Sequence, residues 1–390
     1  MKRVQGMRTA RSKRTHFRNA RTSCRWGRRG VCGGCTECDR VLRAPIPESH
    51  MSAIGPLHRL TIGQPGSGSG SMERGETLMV GSRVLAFGHY QPSKVLTNAD
   101  LEQMVDTSDE WIRSRVGIKT RRVAAEDESV ADMAAKAAAN ALANAGLSGE
   151  DLDFVIVATC TAQDRSPNTA ARVAAAVGAK APAAIDVNTA CSGFPHAMAL
   201  ADQSIRTGSA TKALVVGVEK LTDFADWTDR TTCVLVGDGA GAAVVTASEE
   251  SLISPVVWGS VPEMGHAVRI EAPSHTFSQE GQSVYRWATT ALPKVALQVC
   301  ERAGVKPEDL GAVVLHQANL RIIEPLARKI GAVNAVVAKD VVDSGNTSAA
   351  SIPLALSKLV ERGEIEKGAP VLLFAFGGGL SYAGQIIHCP

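Results

Sequence analysis

Beyond residue 78 the chain alternates short apolar runs with longer stretches of helical spacing. Phe154–Ala158, Ala183–Val187, Ala213–Val218, Ala312–Leu315 and Pro370–Ala375 are runs of four to six mostly apolar residues. Such runs predict strands covered on both faces, the signature of a parallel sheet with helices on either side. Between them, Val130–Asn144, Phe194–Ser204 and Trp287–Arg302 predict helices. No run of about 18 apolar residues occurs, so no membrane-spanning helix is expected.

The pattern repeats. Ala145-Gly146-Leu147 through Glu150-Asp151-Leu152 returns as Ala303-Gly304-Val305 through Glu308-Asp309-Leu310, each copy after a helix and before a strand. Downstream, with small slips, Val177-Gly178-Ala179 matches Ile330-Gly331-Ala332, Cys191–Leu200 matches Thr347–Leu356, and Ala213–Val218 matches Pro370–Ala375. The expectation is a duplicated α/β fold with a pseudo-two-fold axis, its halves spanning 79–250 and 251–390. Equivalent loops, after Ala158 and Leu315 and at Cys191 and Thr347, then surround one shared site.

Composition changes the picture at the N-terminus. The whole chain carries a net charge of +3. Residues 1–78 alone carry net +10 and residues 79–390 net −7. The weakly basic average therefore gives no reason to expect a nucleic-acid partner. The first 78 residues lack apolar periodicity and end in the linker-like Pro65–Ser71, so they read as a disordered extension. They read equally as sequence upstream of a start at Met72 or Met79. Cys24, Cys32, Cys35 and Cys38 form a C-x7-C-x2-C-x2-C motif without flanking elements, so no metal site is expected. An odd total of nine cysteines and no secretory signal suit a reducing cytoplasm rather than disulfides.

Three positions carry candidate chemistry. Cys191 stands between a strand and a helix, where the helix dipole lowers a thiol pKa; a buried structural cysteine is the alternative. His316 follows the strand Ala312–Leu315 directly, the usual place for ligand contact in a parallel sheet. Asn346 lies in Gly345-Asn346-Thr347-Ser348, where a helix cap would need no other role. Gly237-Asp238-Gly239-Ala240-Gly241-Ala242 resembles a phosphate loop weakly, without its lysine.

Together these residues resemble the thiolase-superfamily condensing enzymes, specifically the β-ketoacyl-acyl-carrier-protein synthase III family. The landmarks are TSDEWIRSRVGI (107–118), NTACSGF (188–194), GDGAGAA (237–243), LHQANLRI (315–322), GNTSAASIPLAL (345–356) and FGGG (376–379). The resemblance covers about residues 81–388. It implies a five-layer αβαβα thiolase-like fold and an acyltransferase that condenses an acyl-CoA primer with malonyl-acyl-carrier protein (ACP), initiating fatty-acid synthesis. It further implies Cys191 as acyl-accepting nucleophile, with His316 and Asn346 binding the malonyl thioester. Gly379 and the Cys191 amide match the oxyanion hole. Trp111, Arg115, Arg230 and Gly281 match coenzyme A contacts. Arg286, Arg321, Arg328 and Lys329 match carrier-docking positions. A cytoplasmic homodimer is implied, with no metal or other cofactor.

Ser166 and Val236 stand where some relatives carry bulkier acyl-pocket residues, so a wider primer pocket is expected. The stretch 259–279 is shorter than in several relatives and shapes the tunnel rim. Two other functions fit the same motifs: a priming paralogue of a polyketide pathway, or a silent thiolase-fold binding module.

Overall fold

A computed structural model describes residues 81–390; the N-terminal extension and its four-cysteine motif lie outside the described residues. The strands are β1 (Gly81–Tyr90), β2 (Lys94–Thr97), β3 (Thr120–Val123), β4 (Phe154–Ala158), β5 (Ala183–Val187), β6 (Lys212–Lys220), β7 (Asp238–Ser248), β8 (Val257–Gly259), β9 (Val268–Ile270), β10 (Phe277–Gln279), β11 (Ala312–Leu315), β12 (Val336–Val337), β13 (Pro370–Phe376) and β14 (Tyr382–His388). The longer helices are α1 (Val130–Ala145), α2 (Thr169–Ala176), α3 (Gly193–Arg206), α4 (Gly281–Thr290), α5 (Leu292–Ala303), α6 (Leu320–Ile330) and α7 (Ser351–Glu361).

Two five-stranded sheets have the same topology. The first runs β5-β4-β6-β7-β1 and the second β12-β11-β13-β14-β8. In each, the first three strands and the fifth run in one direction, and the fourth runs against them. The sheets are thus mixed rather than wholly parallel. No long helix separates β6 from β7 or β13 from β14, and without a crossover the chain returns antiparallel.

Register fixes the duplication to the residue in the central strand pairs β4–β6 and β11–β13, while the edge strands β5 and β12 stand 153 apart. Phe154 pairs with Ala213 in the first sheet and Ala312 with Val371 in the second, a constant offset of 158. The same offset relates Ala190 (φ 46°) to Ser348 (φ 45°), two non-glycine residues in the left-handed region. Cys191 therefore corresponds to Ala349, not to Thr347. The sequence match was displaced because small residues fill both turns.

Side-chain alternation builds the layers. Ile156 and Ala158 on β4 face inward with Val215, while Val155 and Val157 face outward. Helices α3 and α7 fill the middle. Phe194, Met198 and Ile205 of α3, and Ile352, Leu356 and Leu359 of α7, share one cluster with inward residues of both sheets. Helices α1 and α2 cover the outer face of the first sheet, and α5 and α6 that of the second. Five layers result, αβαβα.

The glycine-rich 237–242 stretch is mostly strand β7, not a phosphate loop. A Cβ on Gly241 would lie 2.4 Å from the Leu354 nitrogen. The missing side chains let α7 approach the sheet backbone. Asp238 is buried and accepts hydrogen bonds from the Ala124 and Thr222 backbone N–H groups and the Thr222 hydroxyl.

Candidate active site

The loops at the carboxyl ends of β4, β5, β11 and β13 meet at one place. Cys191 sits in the 3₁₀ turn Ala190–Ser192, directly before α3, packed beside its pseudo-symmetric turn Ser348–Ala350. Gly377, at the end of β13, lets the sulfur approach: a Cβ there would lie 2.5 Å from the Cys191 Cβ. Burial pushes the Cys191 thiol up to about 11. The Ser348 hydroxyl and the N–H groups of Gly378 and Cys191 pull it down, while the Glu219 charge pushes it further up. The expected low-pKa thiolate is therefore not the resting state. Desolvation outweighs the helix terminus and its nearby donors. The amide that serves the sulfur is that of Gly378, one residue before the expected Gly379. Gly379 (φ 68°) lines the cavity beside it.

His316 is buried against Phe376, edge to face at 5.6 Å between ring centroids. Burial lowers its pKa to about 3, so the imidazole is neutral near pH 7. Its Nδ1 lies 2.8 Å from the Ser351 hydroxyl oxygen, which accepts the Gln317 N–H at 3.3 Å. In the tautomer in which Ser351 donates to Nδ1, the proton of the neutral imidazole stands on Nε2. Asn346 is tied to the front half: its N–H donates to Leu235 at 2.8 Å, and its carbonyl accepts from Gly237. Its side-chain Oδ1 accepts the Ser348 N–H at 2.9 Å, leaving the Nδ2 hydrogens unassigned to any partner. Neither His316 nor Asn346 is among the residues lining the main cavity.

Glu219, at the end of β6, escaped the sequence reading. It is fully buried. Its carboxylate accepts from Thr161 Oγ1 at 2.5 Å, Ser348 Oγ at 3.0 Å, Thr159 Oγ1 at 3.1 Å and the Cys160 N–H. The Cys160 thiol donates at 3.3 Å. Burial raises the Glu219 pKa despite these donors. In sequence, Glu219-Lys220 reads only as a charged strand end.

A cavity of about 710 Å³ opens over Cys191. Leu221, Phe224, Ile270 and Phe277 give it apolar walls, and Arg165, Arg269 and His275 a basic side. The 259–279 stretch supplies part of this wall through the β9–β10 ribbon. Ser166 is exposed and does not line the cavity, although Arg165 does. Val236 is buried and bridges to Asn346, also off the cavity. Neither residue of the pocket-widening expectation is therefore among those lining this cavity.

Trp111 and Arg230 do meet, the guanidinium 5.3 Å from the indole centroid, with Arg230 held by Asp106. A ring sandwiched between two planes needs about 7 Å, twice a van der Waals contact. The pair is therefore closed on itself. Arg115, Gly281, Arg286 and Arg321 line a second depression of about 660 Å³ containing no carboxylate. Arg328 lies apart, in a depression shared with Glu324 and Lys339. Lys329 donates to the Thr289 carbonyl at 2.6 Å, tying α6 to α4. No cluster of three or more His, Cys, Asp or Glu among the described residues is placed to hold a metal. The five described cysteines are free, and no described helix is long and apolar enough to cross a membrane.

Comparison with known proteins agrees with this arrangement. The family pattern described as 3-oxoacyl-[acyl-carrier-protein (ACP)] synthase III matches residues 185–262, and its C-terminal counterpart matches residues 300–389. The chain is 70% identical over 313 residues to beta-ketoacyl-[acyl-carrier-protein] synthase III 4 of Streptomyces coelicolor, covering 80% of this chain and 99% of that protein. It is 44% identical to the synthase III of Aquifex aeolicus, covering 79% of this chain and all of that one. Among solved structures, the Aquifex aeolicus synthase III superposes with a TM-score of 0.76 at 42% identity, over 79% of this chain and 100% of that one. The priming β-ketosynthase of the R1128 polyketide pathway superposes at 0.77 with 38% identity, over 80% and 96%. Architecture, motif order and these likenesses converge: the chain belongs to the β-ketoacyl-[acyl-carrier-protein] synthase III family.

Proposed function

We propose that this enzyme condenses an acyl-CoA primer with malonyl-ACP, with loss of carbon dioxide, to give a 3-oxoacyl-ACP. The observation that carries the reading is the Cys191 sulfur, served by the Gly378 and Cys191 amides beneath an apolar-walled cavity. The sulfur attacks the primer thioester, and the two amides hold the oxyanion that forms. Coenzyme A leaves an acyl group on Cys191. The malonyl thioester oxygen then takes hydrogen bonds from His316 Nε2–H and Asn346 Nδ2–H. Loss of carbon dioxide places negative charge on that oxygen, and a neutral imidazole already carrying its proton donates without first being charged. Each such donor is typically worth about 3 kcal/mol. The enolate carbon attacks the acyl group, and the amides hold a second oxyanion before Cys191 departs.

The depression lined by Arg115, Arg286 and Arg321 suits a phosphate-bearing substrate and an acidic carrier. Strand β5 supports a homodimer. It is the edge of the first sheet, and Ala183 and Ile185 stand exposed on it. An unprotected apolar edge of this kind is a pairing surface.

The test is mass spectrometry of malonyl-ACP incubated with acetyl-CoA and the enzyme. A 3-oxobutyryl-ACP product is expected, together with an acetyl adduct on the Cys191 peptide. Both should vanish in Cys191→Ser. Product formation that persists in Cys191→Ser would overturn the assignment.

A further inference from the structure

A carboxamide that donates to a thioester must point one way, and two sets of bonds orient Asn346. Its backbone hangs on the front half of the chain: its N–H donates to the Leu235 carbonyl at 2.8 Å, and its carbonyl accepts the Gly237 N–H at 3.0 Å. Its side chain hangs on the next turn, where Oδ1 accepts the Ser348 N–H at 2.9 Å. Ser348 has a left-handed backbone, which costs energy in a non-glycine residue and persists only where the surroundings fix it. The group that fixes it is Glu219. Glu219 Oε1 accepts the Ser348 hydroxyl at 3.0 Å, the Ala349 N–H at 3.4 Å and the Cys160 thiol at 3.3 Å. Its Oε2 accepts the hydroxyls of Thr161 at 2.5 Å and Thr159 at 3.1 Å, and the Cys160 N–H at 3.1 Å. One oxygen thus holds the back-half turn, while the other is anchored on the loop after β4.

Every one of these partners donates, which suits a carboxylate that accepts on both oxygens. No Lys, Arg or His among the described residues forms a hydrogen bond or ion pair with it. Burying such a group without a cation is costly. A glutamine would fill the same space, yet its NH2 would meet donors on one side. We infer that Glu219 is a positioning residue for Asn346: it fixes the Ser348 turn, and the Ser348 N–H then holds the carboxamide by Oδ1, leaving Nδ2 as the atom that donates. This rests on Asn346 serving the malonyl thioester. Glu219 does not line the cavity and has no hydrogen bond to Cys191, so its influence belongs to the second half-reaction and not to the first.

A role confined to Asn346 splits the two half-reactions, which a merely structural role would weaken together. Acetyl transfer to Cys191 is followed as coenzyme A released from acetyl-CoA in a single turnover. Condensation is followed as 3-oxobutyryl-ACP formed when malonyl-ACP is added to the acetylated enzyme. Glu219→Gln should acylate within about threefold of wild type and condense on the order of a hundredfold more slowly, the usual cost of a misplaced reacting group. Ser348→Ala, which keeps its N–H, should slow the same step by about tenfold. In an Asn346→Ala background, Glu219→Gln should slow condensation by no more than about twofold further, because the group it positions is gone. Equal losses in both half-reactions, or an undiminished effect in the Asn346→Ala background, overturn the inference. Should Glu219→Gln lose its circular dichroism, Ser348→Ala carries the same comparison. Hydrogen exchange of the 346–350 segment, read by mass spectrometry, reports placement without any activity and should quicken in Glu219→Gln. Quicker exchange in the variant, beside a wild type that acylates but does not condense, keeps the positioning and removes the malonyl assignment. Normal wild-type condensation with unchanged exchange in the variant does the reverse.

Discussion

His316 illustrates how one buried side chain links chemistry to stability. Its pKa is near 3 in the fold and about 6.5 when unfolded. Below pH 6.5 the unfolded chain gains a proton that the folded site refuses. Stability from this group is therefore complete above about pH 6.5 and is lost as pH falls toward 3, at about 1.4 kcal/mol per unit. Urea unfolding of wild type and His316→Gln at pH 7 and pH 5 isolates the effect, since His89 and His196 are common to both. Wild type should lose about 2 kcal/mol more than the variant. Equal losses would remove the claim that this imidazole is neutral. Cys191, His316 and Asn346 were legible in the sequence because each stands in a short polar or glycine-rich break between apolar elements. Glu219 was not, because only the tertiary fold puts two threonine side chains, one serine and one cysteine around it. Gly378 and Gly379 were indistinguishable in a run of three glycines, where backbone direction decides and side chains give no clue.

Packing between elements depends on missing atoms. Helix α7 lies on β7 so closely that a methyl group on Gly241 would meet the Leu354 nitrogen at 2.4 Å and the Pro353 carbonyl carbon at 2.5 Å. Gly241→Ala should destabilise the protein by about 1–3 kcal/mol, the usual cost of overpacking. A control is Gly265→Ala, whose added carbon meets nothing nearer than 4.0 Å. Urea midpoints compare the two, and equal midpoints would contradict the close approach. The helix–strand alternation and the duplication were readable because their periodicities differ. The antiparallel strands β7 and β14 were less so. A strand buried on both faces looks alike in either direction, and the connection that precedes it decides the matter.

At the scale of the molecule, the described surface ends at an open strand. Ile185 on β5 is 38% exposed at the edge of the first sheet, and the proposed dimer covers it. Ile185→Lys should shift the protein from dimer to monomer in light scattering coupled to size exclusion, since a lysine on an edge strand opposes pairing. A wild-type monomer, or a variant that stays dimeric, would place the contact elsewhere. The edge was invisible in the sequence, where Ala183–Val187 reads like any interior strand. Strand order, which local pattern does not encode, is what exposes it.

The paired left-handed turns at Ala190 and Ser348 have one more consequence. One turn presents the sulfur, and the other presents the hydroxyl beside it, so the reactive thiol borrows a neighbour from the opposite half of the chain. Neither half, severed from its twin, possesses a complete reaction centre; competence is acquired only when the two lock together.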